Sequence, residues 1–481
     1  METKDLLGLT LIPLALLLGI GVTAVSQRAR DAAFFVLVAG TALTEKLDIN
    51  FVSRYWYRGT TRGFEFTFID VLAISLLVST LLLPRPGQPR WYWPASLGAL
   101  IFYFAYCCLS VFSSEPKLYG LFELSKILRG IVFFLAAALF VRTERELGIL
   151  VLALGLTICF EGALALKQRY FSGVYRVTGS LDHPNSLSMY LCMAGPLFVA
   201  AATANFPRYL RYFSMLCLWI AGLSILLTIS RAGIPIFGLV MLGATVFCVS
   251  WRITIRKSLA TLAVGLGVAG MVYKSWDNLQ ARFSGATFEQ EYVDENLEGR
   301  GYYLRLARAI VADRFFGVGL NNWSYWVSKS YGAQLGFPYE DYDDIEYAPS
   351  KEILPSIMYA APAHNLGALT AGELGWPGLV LFALVWLRWL QMGASFLWKR
   401  SPEVMPRLGV GLFFAVGGVG LQSLFEWVYR QTQIYLAFHV LLGTLASLYV
   451  LRRKRKPAPA EARPTIEAPL ARFETAGARE Q

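Results

Sequence analysis

Charge is scarce in this chain. Only 16% of its 481 residues are Asp, Glu, Lys or Arg, and 56% are apolar. A soluble protein carries about 25% charged residues, so a water-soluble globular fold does not fit. Histidine occurs three times. The six cysteines (Cys107, Cys108, Cys159, Cys192, Cys217 and Cys248) all sit inside apolar runs, with no Cys-x-x-Cys. They read as small buried hydrophobes, and neither a disulfide framework nor a zinc site is expected. The sequence has no nucleotide-binding glycine loop and no His-Glu-x-x-His, which removes two familiar routes to phosphate or metal chemistry. The nearest approach to a cation site is a pair of acidic stretches, Glu289, Glu291, Asp294, Glu295 and Asp341, Asp343, Asp344. A hard cation needs several convergent oxygens, so solvated loops are the expectation, with no metal and no cofactor.

What the chain has instead is long apolar runs, near 6–26, 31–44, 67–83, 94–112, 121–141, 147–166, 186–204, 211–229, 231–250, 257–273, 365–391, 406–425 and 432–451. Runs of 18 or more apolar residues read as membrane helices. The second run is short and is expected to pair with the first or to be re-entrant. The fold class is therefore an all-α polytopic membrane bundle of 12–13 transmembrane helices, with a long, partly helical periplasmic loop. Four units are expected: an N-terminal bundle 1–273, a loop or cap 274–364, C-terminal helices 365–451 and a disordered cytoplasmic tail 452–481.

The formal charge of +11 does not point to nucleic acid, because the basic residues concentrate in short loops between spans. Loops 142–146, 205–211, 251–257 and 392–405 and the tail from Arg452 are all basic. The positive-inside rule makes them cytoplasmic. Segments 45–66, 113–120, 167–185, the turn at Ser230-Arg231, the loop 274–364 and the turn 426–431 then face the periplasm. Within the long loop, residues 300–316 have apolar positions at helical spacing. Gly317 and Gly319 are suited to ending that helix in a left-handed conformation. Trp323, Tyr325 and Trp326 suit a surface at the lipid–water boundary.

On that face lie the residues that chemistry requires. Arg231 sits between two apolar runs with no cytoplasmic reason to be there, and an intramembrane arginine costs about 2.5–3.5 kcal/mol at mid-span. Arg300 begins the loop helix, where backbone amides also attract anions. Arg305 diverges from it on the same helix and pairs in space with Arg308. His364 opens the span after the loop and is followed by Asn365. His183 precedes Pro184-Asn185 at the start of another span, and His439 reads as a core residue of the last one. Lys126 and Arg129, near Glu123, either pair locally or extend the cationic patch. Glu161 is an intramembrane carboxylate expected to face the interior, where it could balance an arginine. Arginine forks match diphosphate oxygens, and an imidazole beside them can take a proton from an attacking hydroxyl.

Four short patterns, in order over about 175–380, give the chain its likeness. They are Gly179-x5-Asn185, Ser230-Arg231-x-Gly233, Gly299-Arg300 followed by a helix ending Gly317-x-Gly319, and His364-Asn365 leading to Glu373-Leu374-Gly375. With these the sequence resembles the O-antigen ligase family and its relatives, the O-antigen polymerases. The resemblance implies a metal-independent membrane glycosyltransferase working at the periplasmic face of the bacterial inner membrane, and direct attack of the acceptor hydroxyl on the anomeric carbon would invert that carbon's configuration. Its donor would be an undecaprenyl diphosphate-linked glycan and its acceptor the lipid A core, with a second lipid-linked glycan as acceptor in a polymerase. Arg231 and Arg300 fall on the family's two functional arginines and His364 on its histidine, although Arg305 is near enough to compete for the second place. Arg305, Lys126, Arg129, Asn365 and His183 follow as further contacts to diphosphate or acceptor. A lipid or glycan transporter is the remaining reading from another class, and the clustering of charge at one face speaks against it.

Overall fold

The structure is a computed structural model. It describes residues 3–249 except 47 and 85–87, residues 276–284, 299–341 except 338, 359–398 and 401–454, and scattered positions in 250–275. Most of the expected span 257–273, most of both acidic stretches, Lys399, Arg400 and the tail beyond 454 lie outside the described residues.

The fold is an all-α polytopic membrane bundle. Its helices are α1 (Thr3–Val25), α2 (Gln27–Gly40), α3 (Phe68–Leu82), α4 (Leu97–Phe112), α5 (Lys117–Phe140), α6 (Glu144–Tyr170), α7 (Pro184–Thr203), α8 (Arg208–Thr228) and α9 (Gly233–Cys248). After them come α10 (Trp276–Ser284), α11 (Arg300–Asp313), α12 (Leu366–Ala394), α13 (Val404–Ser423) and α14 (Thr432–Lys454). Among the described residues, six helices (α6, α7, α8, α12, α13 and α14) are long and apolar enough to cross a membrane. Strands β1 (Ile49–Phe51) and β2 (Phe64–Phe66) form one small antiparallel hairpin between α2 and α3.

Local sequence sets the helix starts. Thr67 and Asp70 form a reciprocal capping box at α3, and Thr143 and Glu146 do the same at α6; each satisfies backbone donors that a helix leaves open. Helix α7 begins with Pro184, whose fixed φ suits the first helical turn. Its body is Ser, Ala, Gly, Met and Leu, buried along nearly its whole length against α8, α9 and α13. Small residues allow close approach: a Cβ on Gly411 of α13 would meet Ala200 and the backbone at Leu197 within about 3 Å.

The hairpin marks one face of the bundle. Gly8 of α1 lies against Ile49 and Phe51, so the described part of α1 starts on this face. On the opposite face the Arg30 side chain donates to Thr23 O at 2.7 Å and Leu83 O at 2.9 Å, tying together the ends of α1 and α3. There too Ser447 of α14 donates to Val141 O, and Asn205 N donates to Pro402 O at 2.9 Å. Basic loops 142–146 and 205–211 gather on this second face, as the charge pattern requires. Helix α2 has only 14 residues and is continued by a 3-10 turn over Thr41–Lys46. It packs on α1, α3 and α6, so the short second run is a partner of the first.

On the hairpin face, α11 and the helical segment 323–334 form a cap with a core of its own. Tyr302, Leu306 and Ile310 pack with Trp323, Val327, Tyr331, Ala363 and Leu369. This corrects the expectation for the aromatic run. Trp323 is 1% exposed and Tyr325 is 8% exposed, so both are interior residues, not a boundary surface. The exposed aromatics nearby are Phe315, Phe316 and Trp376. The cap is docked by backbone bonds into a kink of α12: Val318 N to Gly372 O at 2.9 Å, Gly319 N to Glu373 O at 2.8 Å and Trp376 N to Phe315 O at 3.2 Å. Two glycines make this approach possible. Gly317 has φ +77° and Gly375 has φ +67°, and a Cβ on Gly375 would stand 2.1 Å from Phe315 O.

Candidate active site

Five segments from different parts of the chain converge on the hairpin face. They are the start of α7, the turn between α8 and α9, the start of α11, the start of α12 and the turn after α13. At their centre is Glu426, which is 1% exposed. A buried carboxylate is tolerated only when its oxygens are fully engaged. Oε1 accepts from Arg300 Nη2 at 2.8 Å and Asn185 Nδ2 at 2.6 Å, and Oε2 accepts from His364 Nδ1 at 2.8 Å.

Asn185 relays this cluster outward. Its Oδ1 accepts from Ser230 Oγ at 3.0 Å and Arg176 Nη2 at 3.1 Å, while Gln422 Nε2 donates to its backbone oxygen at 3.0 Å. Ser230 also receives Gly233 N at 3.2 Å, which shapes the α8–α9 turn that carries Arg231. Arg231 itself is partly buried beside Ser230. Gly233 has no room for a side chain, since a Cβ there would meet Ser188 Oγ at 1.7 Å.

His364 sits at the edge of the cluster with its side chain 36% exposed. Because a carboxylate only accepts, its contact with Nδ1 places the proton there and leaves the Nε2 lone pair outward. Tyr303 of α11 meets the imidazole edge-on at a centroid distance of 5.5 Å. Burial foremost, with Tyr339, pushes the Tyr303 phenol up to about 12, so it stays a neutral wall. Asn365 caps α12 by accepting Ala368 N at 2.8 Å and donates to Leu424 O at 2.7 Å. Its amide therefore positions His364 against the turn that bears Glu426.

The turn is held at both ends. Ser186 Oγ donates to Gln431 Oε1, and Arg430 enters a second, fully buried cluster. There Arg430 Nη1 meets Glu373 Oε2 at 2.5 Å and Lys126 Nζ meets Glu123 Oε2 at 2.8 Å. Lys126 also donates to Arg430 O at 2.6 Å and Thr61 Oγ1 at 2.7 Å. Two acids and two bases balance in an interior that would not hold any of them singly. Arg129 Nε donates to Asp70 Oδ1 at 2.8 Å and a guanidinium nitrogen reaches Glu65 Oε2 at 3.3 Å.

The expected residues therefore separate. Arg300, His364 and Asn185 come together on Glu426 with Ser230 and His183 beside them. Arg231 follows Ser230 in the same turn, and Asn365 braces His364. Lys126, 0% exposed, and Arg129 are occupied by carboxylates of the interior and the hairpin. Arg305 lies beside Tyr302 one turn further along α11. Glu161 holds the backbone N–H of Ser180 at 2.8 Å and its hydroxyl, anchoring the loop that carries Arg176 and His183. Gly179 (φ +65°) lies close enough that a Cβ would touch Glu161 Oε2 at 2.0 Å. Sequence reasoning missed Glu426 and Arg176. The available signal was Glu426 and Arg430 in one short aromatic turn between two spans, away from the basic loops.

Such an arrangement can bind an anion with guanidinium groups, hold an imidazole in one tautomer and offer its bare nitrogen to a hydroxyl. No curated protein matches the chain. Residues 216–383 match the family model described as O-antigen ligase. The matched segment contains Ser230-Arg231, Gly299-Arg300, His364 and the α12 kink, while Arg176, His183, Asn185 and Glu426 lie outside it. That match spans about a third of the chain and supports a likeness of this multi-pass membrane bundle to the O-antigen ligase family.

Proposed function

We propose that the protein is an O-antigen ligase that transfers a polysaccharide from undecaprenyl diphosphate to the lipid A core oligosaccharide at the periplasmic face of the inner membrane. The observation that carries this reading is the Arg300–Glu426–His364 cluster, with Glu426 holding both partners at 2.8 Å. Arg300 and Arg231 bind the diphosphate of the donor. A guanidinium presents five N–H donors, and each charge-assisted bond contributes about 1.5–3 kcal/mol.

His364 takes the proton of the acceptor hydroxyl on Nε2. The hydroxyl oxygen bonds to the anomeric carbon as the bond from that carbon to the phosphate oxygen breaks. Its electron pair leaves on the diphosphate, so the configuration inverts. Glu426 stabilises the positive charge that builds on the ring, as an orienting carboxylate does in other acid–base pairs. Arg300 and Arg231 stabilise the charge that builds on the leaving oxygen. A diphosphate is already a good leaving group, so the reading needs no nucleotide. Full activity in the presence of a chelator is expected, because the arginines take the place of a cation.

A strain without the protein tests the acceptor. Long glycan chains retained on the undecaprenyl carrier, with unsubstituted lipid A core, support ligation. Single repeats attached to the core would instead make the protein a polymerase with the same donor.

A further inference from the structure

His183 has no part in the proton transfer just described, yet it belongs to the same cluster. It is the N-cap of α7, and its Nδ1 accepts the backbone N–H of Asn185 at 3.1 Å. A backbone N–H can only donate, so Nδ1 holds a lone pair and the proton of the neutral ring is on Nε2. His364 is the reverse, with its proton on Nδ1 against Glu426 and its lone pair on Nε2. Two imidazoles around one carboxylate therefore present opposite groups, one a lone pair and the other an N–H.

The charged and titratable groups acting on His183 are Glu426, Arg176 and His364. Burial foremost, joined by Arg176 and His364 and opposed by Glu426, holds its pKa below the ordinary histidine range. A further cation here would oppose proton uptake by His364 through like-charge repulsion. A neutral donor adds a hydrogen bond without that cost, and its seat on a helix end tied to Asn185 fixes its direction before substrate arrives.

Building on the ligase reading of this site, we propose that His183 is a neutral hydrogen-bond donor to the diphosphate of the lipid donor, its Nε2–H engaging a phosphate oxygen while Arg231 and Arg300 supply the charge. No proton leaves His183 in the reaction. The transferred proton goes from the acceptor hydroxyl to His364, and the electron pair of the broken C–O bond goes to the diphosphate.

Two substitutions separate capping from substrate contact. In His183→Asn the amide oxygen takes the place of Nδ1 and keeps the cap, but nothing reaches the Nε2 position. In His183→Gln an amide N–H reaches that position. Binding of undecaprenyl diphosphate to the purified full-length protein is measured for both, with the melting temperature of each. The expected result is affinity about tenfold or more weaker in His183→Asn at unchanged melting temperature, recovered to within about threefold in His183→Gln. Unchanged affinity in His183→Asn overturns the proposal, as does a joint loss of affinity and melting temperature in that variant or a failure of Gln to recover binding. His364→Ala measured alongside keeps the two readings apart. Full-rate transfer by that variant would remove the base, whereas the His183 result rests on binding alone.

Discussion

Replacing Glu426 with Gln takes one charge out of the centre of the cluster and keeps its shape. Two donors, Arg300 Nη2 and Asn185 Nδ2, converge on Oε1, and one, His364 Nδ1, meets Oε2. A glutamine has one oxygen for these three donors. The oxygen settles toward Arg300 and Asn185, where a charge and two bonds are at stake, and its NH2 then faces His364. The imidazole responds by moving its proton to Nε2, which is the atom required to be bare. The base is present and in the wrong tautomer. General-base assistance is worth about 10²–10⁴-fold, so kcat for glycan transfer is expected to fall by that factor, equivalent to roughly 3–5 kcal/mol of barrier. The KM for the lipid donor stays level or falls, because Arg300 loses a competitor for the diphosphate. Arg300 keeps 21% exposure, so the lost ion pair is partly screened and costs about 1–2 kcal/mol of stability. Purified protein in nanodiscs, supplied with lipid-linked glycan and lipid A core, gives kcat and KM separately, and a thermal melt reports folding. A kcat within threefold of the unsubstituted protein, or a rise in KM at constant kcat, would refute the tautomer argument.

His364→Ala is expected to lose about 10²–10⁴ in transfer rate with undecaprenyl diphosphate binding within threefold of normal, as read by turnover and direct binding. Arg300→Lys removes a planar fork from the diphosphate and is expected to raise donor KM about tenfold at unchanged melting temperature, measured by steady-state kinetics. Lys126→Met leaves Glu123 buried with one partner fewer and is expected to cost about 3–5 kcal/mol. Its melting temperature drops while donor KM in the folded fraction is unchanged; the opposite pattern would return Lys126 to the substrate.

The bundle was legible because membrane helices announce themselves by apolar length, and the two faces because basic loops alternate with the rest. Arg231, Arg300 and His364 were legible as charged residues without a cytoplasmic reason to exist. Their common partner was not. Glu426 sits in a turn where a carboxylate is ordinary, and acidic residues contribute little to topology, so only the meeting of α7, α11, α12 and the 424–431 turn shows what it holds. Lys126 and Arg129, three apart on one side of α5, could be read either as pairing locally with Glu123 or as extending one cationic patch. Lys126 does pair with Glu123 one turn away. Arg430, whose backbone oxygen it also meets, and the Arg129 partners Asp70 and Glu65 are distant in sequence, so that part of the pairing is a property of the fold. Trp323 and Tyr325 were misplaced for a related reason: an aromatic run has the same composition at a membrane boundary and in the core of a small cap.

The most direct measurement is a cryo-EM reconstruction of the protein with undecaprenyl diphosphate. The diphosphate should rest on the hairpin face within hydrogen-bond reach of Arg300 and Arg231, with the open nitrogen of His364 toward the space above the anomeric position. A lipid diphosphate seated among the basic loops of the opposite face, or more than one side-chain length from Arg300 and His364, would contradict it.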